Sequence, residues 1–420
     1  MSVVKFKHLR HPLQTANAAK AMFGARLSMW KFAAYGAHRF RGDARYDLQN
    51  VTNGFASRIE ETSDDASLLE RICTAYIKAV KQQQFAPVAY KATDWWQEVR
   101  KRSLGPVTQA LLTRDIDALR RMYRNFFRDP CSAGLLGAPY GMSKAYFGGN
   151  IKDIYRHFYL SHVLFRFDYW KAQTDGHFAL HDLAGPGIGN PFGVLIDGTH
   201  ISVGSEYAHY CAHRVDSFLD SGAATVAEIG GGFGGMAYYL LRDRAGVKYL
   251  DFDIPESIAL ASYYLLKAFP HLTFLLYGEE DLTNEAIARA DVVLMPVFEL
   301  ATMPSQRVDI TFSSHAMSDI SSEAMVEYLN NIDRTTRGCL LYIGHSRASE
   351  SISALVSQRY DSFELAETRS SGWRSHKVSG AGVGGAAGLA ASTMLEQCYR
   401  RTALSQDKPA KVASMRGHGL

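Results

Sequence analysis

Residues 226–243 read VAEIGGGFGGMAYYLLRD. A largely apolar run leads into five glycines, Gly230, Gly231, Gly232, Gly234 and Gly235, and a helix-forming stretch follows at once. Glycine carries no side chain and tolerates positive φ, so such a turn lets a ligand reach backbone amides at the start of a helix. Gly230, Gly232 and Gly235 satisfy G-x-G-x-x-G, a spacing that by itself does not choose among nucleotide-like ligands.

Two carboxylates narrow the choice. Glu228 precedes the first glycine by two residues, where it repels a pyrophosphate and accepts hydrogen bonds from an ammonium. Asp253 closes the next β-rich run, within DFDIPES at 251–257, the place from which a carboxylate takes both hydroxyls of a ribose. Asp251 faces the same way but lies deeper. S-adenosylmethionine has that ammonium, a ribose and no phosphate, and is the expected cofactor. A dinucleotide cofactor, or a turn that serves only close packing, are the alternatives.

Outward from this turn, β-rich runs at 225–229, 248–253, 273–277, 292–297, 308–313 and 339–343 alternate with helical patterns, which implies a mainly parallel sheet. Two further runs, 362–368 and 393–399, have only a Gly/Ala-rich stretch between them and read as a closing antiparallel pair. The expectation is an α/β, Rossmann-like fold with a seven-stranded sheet, and either 273–277 or 292–297 is one strand too many. Upstream, Leu68, Leu69, Ile72, Tyr76 and Ala79 repeat at helical spacing, and residues 46–190 read as an α-helical N-terminal domain. The Gly/Pro-dense stretch 184–205 reads as the connection to a cofactor domain over 191–402, and 403–420 as a disordered tail.

Of 420 residues, 47% are hydrophobic and 21% charged, with net charge +4, which excludes a disordered or fibrous chain and gives no reason to expect a nucleic-acid partner. The five cysteines, Cys73, Cys131, Cys211, Cys339 and Cys398, form no CxxC pair, which argues against a disulfide framework or a zinc site and for a reducing compartment. No window approaches the length of a bilayer span and no secretory h-region is present, so the cytoplasm is expected. The segment 1–45 is basic: residues 1–42 hold Lys5, Lys7, Arg10, Lys20, Arg26, Lys31, Arg39 and Arg41 and no acid. It reads as a basic helix packed on the protein or a partner subunit, as an amphipathic helix on anionic lipid, with Phe23, Leu27, Met29 and Trp30 facing the acyl boundary, or as a transit peptide.

The runs EIGGGFGG (228–235), DFDIPES, SYYLL (262–266) and VDITFSSHAMSDIS (308–321), with GNPFG (189–193) and MLEQCYRR (394–401), resemble the sugar O-methyltransferases of bacterial surface-glycan gene clusters, which are class I methyltransferases. The likeness covers 185–402 and extends weakly upstream through RNFFRDP (124–130). It implies that Glu228, Gly230, Gly231 and Gly232 hold the methionine part of the cofactor, that Asp253 holds its ribose, and that Val297, Phe298 and Glu299 flank its adenine. Ser314, at the end of the fourth strand, joins the cofactor set. Where the family often carries an Asn-Ser-X-X-Glu-Met run, this chain has Ser314 to Asp319.

A sugar hydroxyl is a poor nucleophile at neutral pH, so a general base worth roughly 10²–10⁴-fold is expected. His315, just past a strand's carboxyl end, is the leading candidate, with Asp319 to orient it or replace it. His200, His209 and His345 are second candidates. His315, Asp319 and Glu323 recur every four residues; without a second carboxylate pair they are read as a solvated helix face, no metal ligand is assigned and a divalent metal is not favoured. Trp95, Trp96, Tyr140, Tyr146, Phe147 and Tyr155 are candidates to stack on a sugar, though most are expected in the core. The acceptor expected is a nucleotide sugar or a glycan terminus. A non-sugar acceptor, a non-catalytic binding protein with this fold, and a homo-oligomer are compatible with the same residues.

Overall fold

The computed structural model describes residues 12–59, 64–136, 154–318, 320–373 and 394–402. Asp319, Tyr140, Tyr146, Phe147 and the segment 403–420 lie outside the described residues.

The N-terminal part is helical: α1 Pro12–Arg39, α2 Leu48–Gly54, α3 Ala66–Gln83, α4 Asp94–Val99, α5 Gly105–Thr113, α6 Ile116–Tyr123 and α7 Ile154–Gln173. In α3 the residues Leu69, Ile72, Cys73, Tyr76 and Ala79 are buried, the stripe that a 3.6-residue period places on one face. Arg114, at φ 54, ends α5 in the left-handed region, and the Asp115 side chain accepts from the Ala118 amide to start α6.

The stretch 184–205 is more than a connection. It contains a hairpin, β1 Gly193–Ile196 and β2 Thr199–Ser202, paired antiparallel. Its two-residue turn is Asp197 at φ 48 and Gly198 at φ 76, both left-handed as a type I′ turn requires, and Asp-Gly is the dipeptide that favours it.

Then follow α8 Ser205–Asp216, β3 Ala224–Ile229, α9 Gly235–Asp243, β4 Val247–Asp253, α10 Pro255–Ala268, β5 Phe274–Leu276, α11 Asn284–Arg289, β6 Val292–Pro296, β7 Val308–Ser314, α12 Ser322–Thr335, β8 Thr336–His345, α13 Ser346–Arg359, β9 Phe363–Ser371 and β10 Met394–Arg401. The sheet order is β5-β6-β4-β3-β7-β8-β10-β9. All pairings are parallel except those of β10, which runs antiparallel to both β8 and β9. This is the Rossmann-like sheet expected, with eight strands rather than seven: β6 takes the place beside β4, and three-residue β5 is the additional edge strand. Val292–Pro296 is buried at every position, as a strand covered on both faces must be.

One hydrophobic cluster runs from Leu69, Tyr123, Phe126 and Trp170 in the helical part to Val226, Tyr249, Ile310 and Leu341 on one sheet face. The other face has its own cluster around Leu250, Phe252, Val293, Met325 and Ile352. The helices therefore share their core with the sheet, and this places Phe127, Leu135 and α7 over the carboxyl ends of the strands.

Candidate cofactor and acceptor site

The carboxyl ends of β3, β4, β6 and β7 meet at one edge of the sheet, where open α/β folds bind ligands. The glycine loop crosses this edge in close contact with Ala316, Asp251 and Leu135. Gly230 sits at φ 83, and a Cβ there would overlap that of Ala316; a Cβ at Gly231 would lie 2.6 Å from Asp251 Oδ2, and one at Gly232, φ 63, would lie 2.7 Å from the Leu135 carbonyl oxygen. Gly230→Ala is expected to destabilise the fold by about 1–3 kcal/mol, from the positive φ and the overlap together, read as a lower melting temperature of the unliganded protein.

Three acids converge under the loop. Glu228 is 3% exposed and its Oε2 accepts from Tyr249 Oη at 2.6 Å. Asp251 is fully buried, with Oδ1 accepting from the Gly231 amide at 3.2 Å and Oδ2 without a hydrogen-bond partner among the described residues. Asp253 accepts from the Gly232 amide at 2.9 Å and from the Ile254 amide at 2.6 Å. Among the described residues none of the three forms a salt bridge. Burial raises all three: Glu228 to about 7, against the Tyr249 hydrogen bond and reinforced by the Asp253 charge; Asp253 to about 6, against its two amide donors; and Asp251 well above the carboxylate range, with its two neighbours' charges adding to burial. The three carboxyls thus share a buried cleft at the loop end of the cavity with no salt-bridge partner among the described residues.

A cavity of about 700 Å³ opens from the loop. Glu228, Gly230, Gly231, Gly232, Asp253, Ile254, Val297 and Tyr328 line one end. The other end is walled by α7, α8 and the end of β9. There Arg166 pairs through Nε with Glu206, which is 5% exposed, and its guanidinium lies 5.1 Å from the Trp373 ring centroid. Tyr207 stands against Trp373, ring centroids 5.2 Å apart, and Tyr159 and Phe167 also line the cavity, while Trp95 and Trp96 line it beside Gly134.

Ser314 and His315 stand between the two ends. Ser314 Oγ lies 2.7 Å from Tyr207 Oη. His315 adopts φ 66, its amide donates to the Ile343 carbonyl at 2.9 Å, and its ring centroid is 6.3 Å from that of Tyr207 and 5.7 Å from that of His345. Because Ala316 abuts Gly230, His315 is held at the rim of the glycine loop.

Several expected residues are placed elsewhere. Phe298 and Glu299 do not line the cavity: Phe298 is buried edge-on against Tyr277, centroids 5.6 Å apart, and the Glu299 carboxylate accepts from Thr302 Oγ1 at 2.5 Å. The 3₁₀ turn Val297–Ala301 directs only Val297 into the cavity. His315 and Glu323 do not share a helix face, because the chain leaves β7 in a tight turn and α12 begins only at Ser322; Glu323 is exposed. Among the described residues no three His, Cys, Asp or Glu side chains are grouped to hold a metal. His209 packs among Trp170, Phe178 and Tyr239, and His200 Nε2 meets the Gly54 carbonyl at 3.1 Å; burial lowers both to about 4, and neither lines the cavity. Trp95 and Trp96 do line it, while Tyr155 is exposed on α7 away from it.

Arg166, Glu206, Tyr207 and Trp373 went unnoticed in the sequence. Apart from the adjacent Glu206 and Tyr207 they are far apart along the chain and sit in ordinary amphipathic patterns, so only the fold assembles them.

No family model and no curated protein matches this chain. Solved structures similar to it include several methyltransferases and a biosynthetic protein. Magnesium protoporphyrin IX methyltransferase (ChlM) from Synechocystis PCC 6803 with bound SAM is 13% identical, over 47% of this chain and 81% of that one, at a TM-score of 0.30. A TehB-like SAM-dependent methyltransferase from Corynebacterium glutamicum is 16% identical over 46% and 87%, at 0.29. The pyocyanin biosynthetic protein PhzM is 14% identical over 47% and 56%, at 0.30. Each spans about half of this chain, and similarity at this level leaves every role to be read from the chain's own residues.

Proposed function

We propose that this chain is an S-adenosylmethionine-dependent O-methyltransferase of the cytoplasm whose acceptor is a sugar hydroxyl, on a nucleotide sugar or a glycan terminus. One observation carries the reading: a side-chain-free loop sits over three buried carboxyl groups that have no salt-bridge partner among the described residues. Such a cleft repels pyrophosphate and draws a cationic nucleoside, which counts against a dinucleotide. Glu228 faces the place for an ammonium, Asp253 the place for a ribose diol, and Ile254, Val297 and Tyr328 the place for an adenine. The five cysteines are free and buried, in keeping with a reducing compartment.

When bound, the cofactor supplies a methyl group on a sulfonium, which passes to the acceptor oxygen as a neutral thioether departs. The protein's share is to align the acceptor, exclude water and take the hydroxyl proton. His315, which lines the cavity beside the glycine loop, is the base in this reading. Burial holds the Tyr207 phenol well above its ordinary range, so it stays protonated and acts as a hydrogen-bond partner to Ser314. The Arg166–Glu206 pair offers donors and acceptors side by side beneath aromatic faces, a combination suited to a polyhydroxylated ring. The aromatic wall also favours, as a second reading, a flat non-sugar hydroxyl compound.

Calorimetry comparing S-adenosylmethionine with nicotinamide and flavin dinucleotides tests the cofactor, and mass spectrometry of glycans from cells with and without the gene tests the acceptor. No heat with S-adenosylmethionine at saturating supply, or binding of a dinucleotide instead, defeats the reading. Unchanged glycan masses with cofactor binding intact move the acceptor to the non-sugar class.

Proton linkage adds a sharper expectation. An ammonium binds the ionised form of Glu228, whose carboxyl is raised to about 7 without ligand. Affinity is therefore expected to rise by about tenfold between about pH 6 and about pH 8, with proton release detected as a dependence of the calorimetric enthalpy on buffer. The unliganded protein responds oppositely. A carboxyl raised from 4.5 to about 7 binds its proton more tightly folded than unfolded, so its contribution is intact below about pH 4.5 and declines as pH rises toward 7. Glu228→Gln removes that decline, and its melting temperature at about pH 8 should exceed that of the native chain.

A further inference from the structure

In α1 the residues Phe23, Leu27 and Trp30 are 71%, 43% and 59% exposed. They fall at i, i+4 and i+7, one above another on a single face. The opposite face is already used: Met29, Phe32 and Ala33 pack with Ile154 and Phe158 of α7, and Phe32 also meets Phe165, centroids 5.7 Å apart. Lys20 and Lys31 are exposed on one flank of the apolar stripe and Arg26 on the other. The whole of residues 1–42 has eight Lys or Arg and no Asp or Glu.

We propose that the outer face of α1 seats the protein on an anionic lipid surface, with Phe23, Leu27 and Trp30 in the headgroup–acyl boundary and Lys20, Arg26 and Lys31 against lipid phosphates. An apolar stripe bordered by cations is the pattern of an interfacial helix, and the absence of acids removes the groups that anionic headgroups would repel. No described helix is long and apolar enough to cross a membrane, so the helix lies in the surface plane. A second copy of the chain is a poorer occupant. A two-fold interface would bring this stripe against itself and set like charges along both edges, with no acid on either copy of the segment to answer them. The proposal has a geometric consequence. Helix α7 gives Phe158 and Phe165 to α1, and Tyr159, His162 and Arg166 to the cavity, so the seated helix and the acceptor end of the cavity are a single helix apart.

The proposal stands apart from the methyltransferase reading, and its test uses the full chain with vesicles alone. Co-sedimentation is measured with vesicles of phosphatidylcholine and with vesicles in which roughly one-third is phosphatidylglycerol. The native protein is expected to bind the anionic vesicles at least about tenfold more tightly, and binding should fall at least about tenfold in Phe23→Ala/Leu27→Ala/Trp30→Ala and again in Lys20→Glu/Arg26→Glu/Lys31→Glu. Exposed positions leave the fold intact, which an unchanged melting temperature in both variants verifies. Equal binding to the two vesicle types, or binding unaltered in either folded variant, overturns it. So does a lipid-free dimer, seen by light scattering, that the alanine variant dissociates, since the stripe would then be a subunit interface.

Discussion

Substituting alanine for Asp253 is expected to weaken S-adenosylmethionine binding by roughly 10²–10⁴-fold. The carboxylate performs two tasks. It accepts from the Gly232 and Ile254 amides, and at the end of β4 it is the carboxylate proposed above to take the ribose diol. Each hydrogen bond to a charged acceptor is worth roughly 1.5–3 kcal/mol, so losing two to the ligand sets the range. An opposing effect limits it: the Asp253 charge is one of the causes that raise Glu228, and removing it lets Glu228 ionise more readily. The measurement belongs at about pH 8, where Glu228 is largely ionised in both proteins and that relief is small. Asp253→Asn retains an acceptor oxygen for one amide and should fall between the two. A loss below about threefold for the alanine variant removes Asp253 from the ligand site.

The positions of the strands were readable because parallel strands covered on both faces are short apolar runs, and the helices between them keep a 3.6-residue period. The carboxylate cluster was readable too. Tyr249, Asp251 and Asp253 alternate along β4 and so share a face, next to Glu228 of the paired strand. That the same alternation delivers Tyr249 Oη to Glu228 follows from register, which sequence spacing alone does not supply. The β1–β2 hairpin carried an Asp-Gly turn signal, but the surrounding glycines and prolines dominated the pattern. Phe298 and Glu299 show a different limit. They follow a strand whose end reaches the cavity, yet a 3₁₀ turn rotates successive side chains by about a third of a circle, so one neighbour enters and the next two do not. The acceptor end was illegible for a physical reason: Arg166, Glu206 and Trp373 come from a helix, another helix and a strand end, each chosen locally for burial and brought together by the shared core.

Removing the His315 side chain is expected to lower kcat by roughly 10²–10⁴-fold while S-adenosylmethionine affinity changes by less than about threefold, because a base acts on the acceptor proton and not on cofactor binding. The backbone provides an independent reason to look there. A non-glycine residue at φ 66 costs about 1 kcal/mol, and this one is kept in place by the bond from its amide to Ile343 and from the Ser318 amide to its carbonyl. That strain complicates an alanine substitution, since a Cβ remains at a left-handed position. His315→Gly separates the two contributions: glycine accepts the dihedral without cost, so a loss of turnover in the glycine variant reports the imidazole alone. Tyr207→Phe is the companion variant. Its phenol stays protonated and bonds Ser314, so its loss should reduce turnover by less than about tenfold. A glycine variant with near-native kcat, or a phenylalanine variant that loses more than it does, takes the proton-accepting role away from His315 and transfers it to the Tyr207–Ser314 pair.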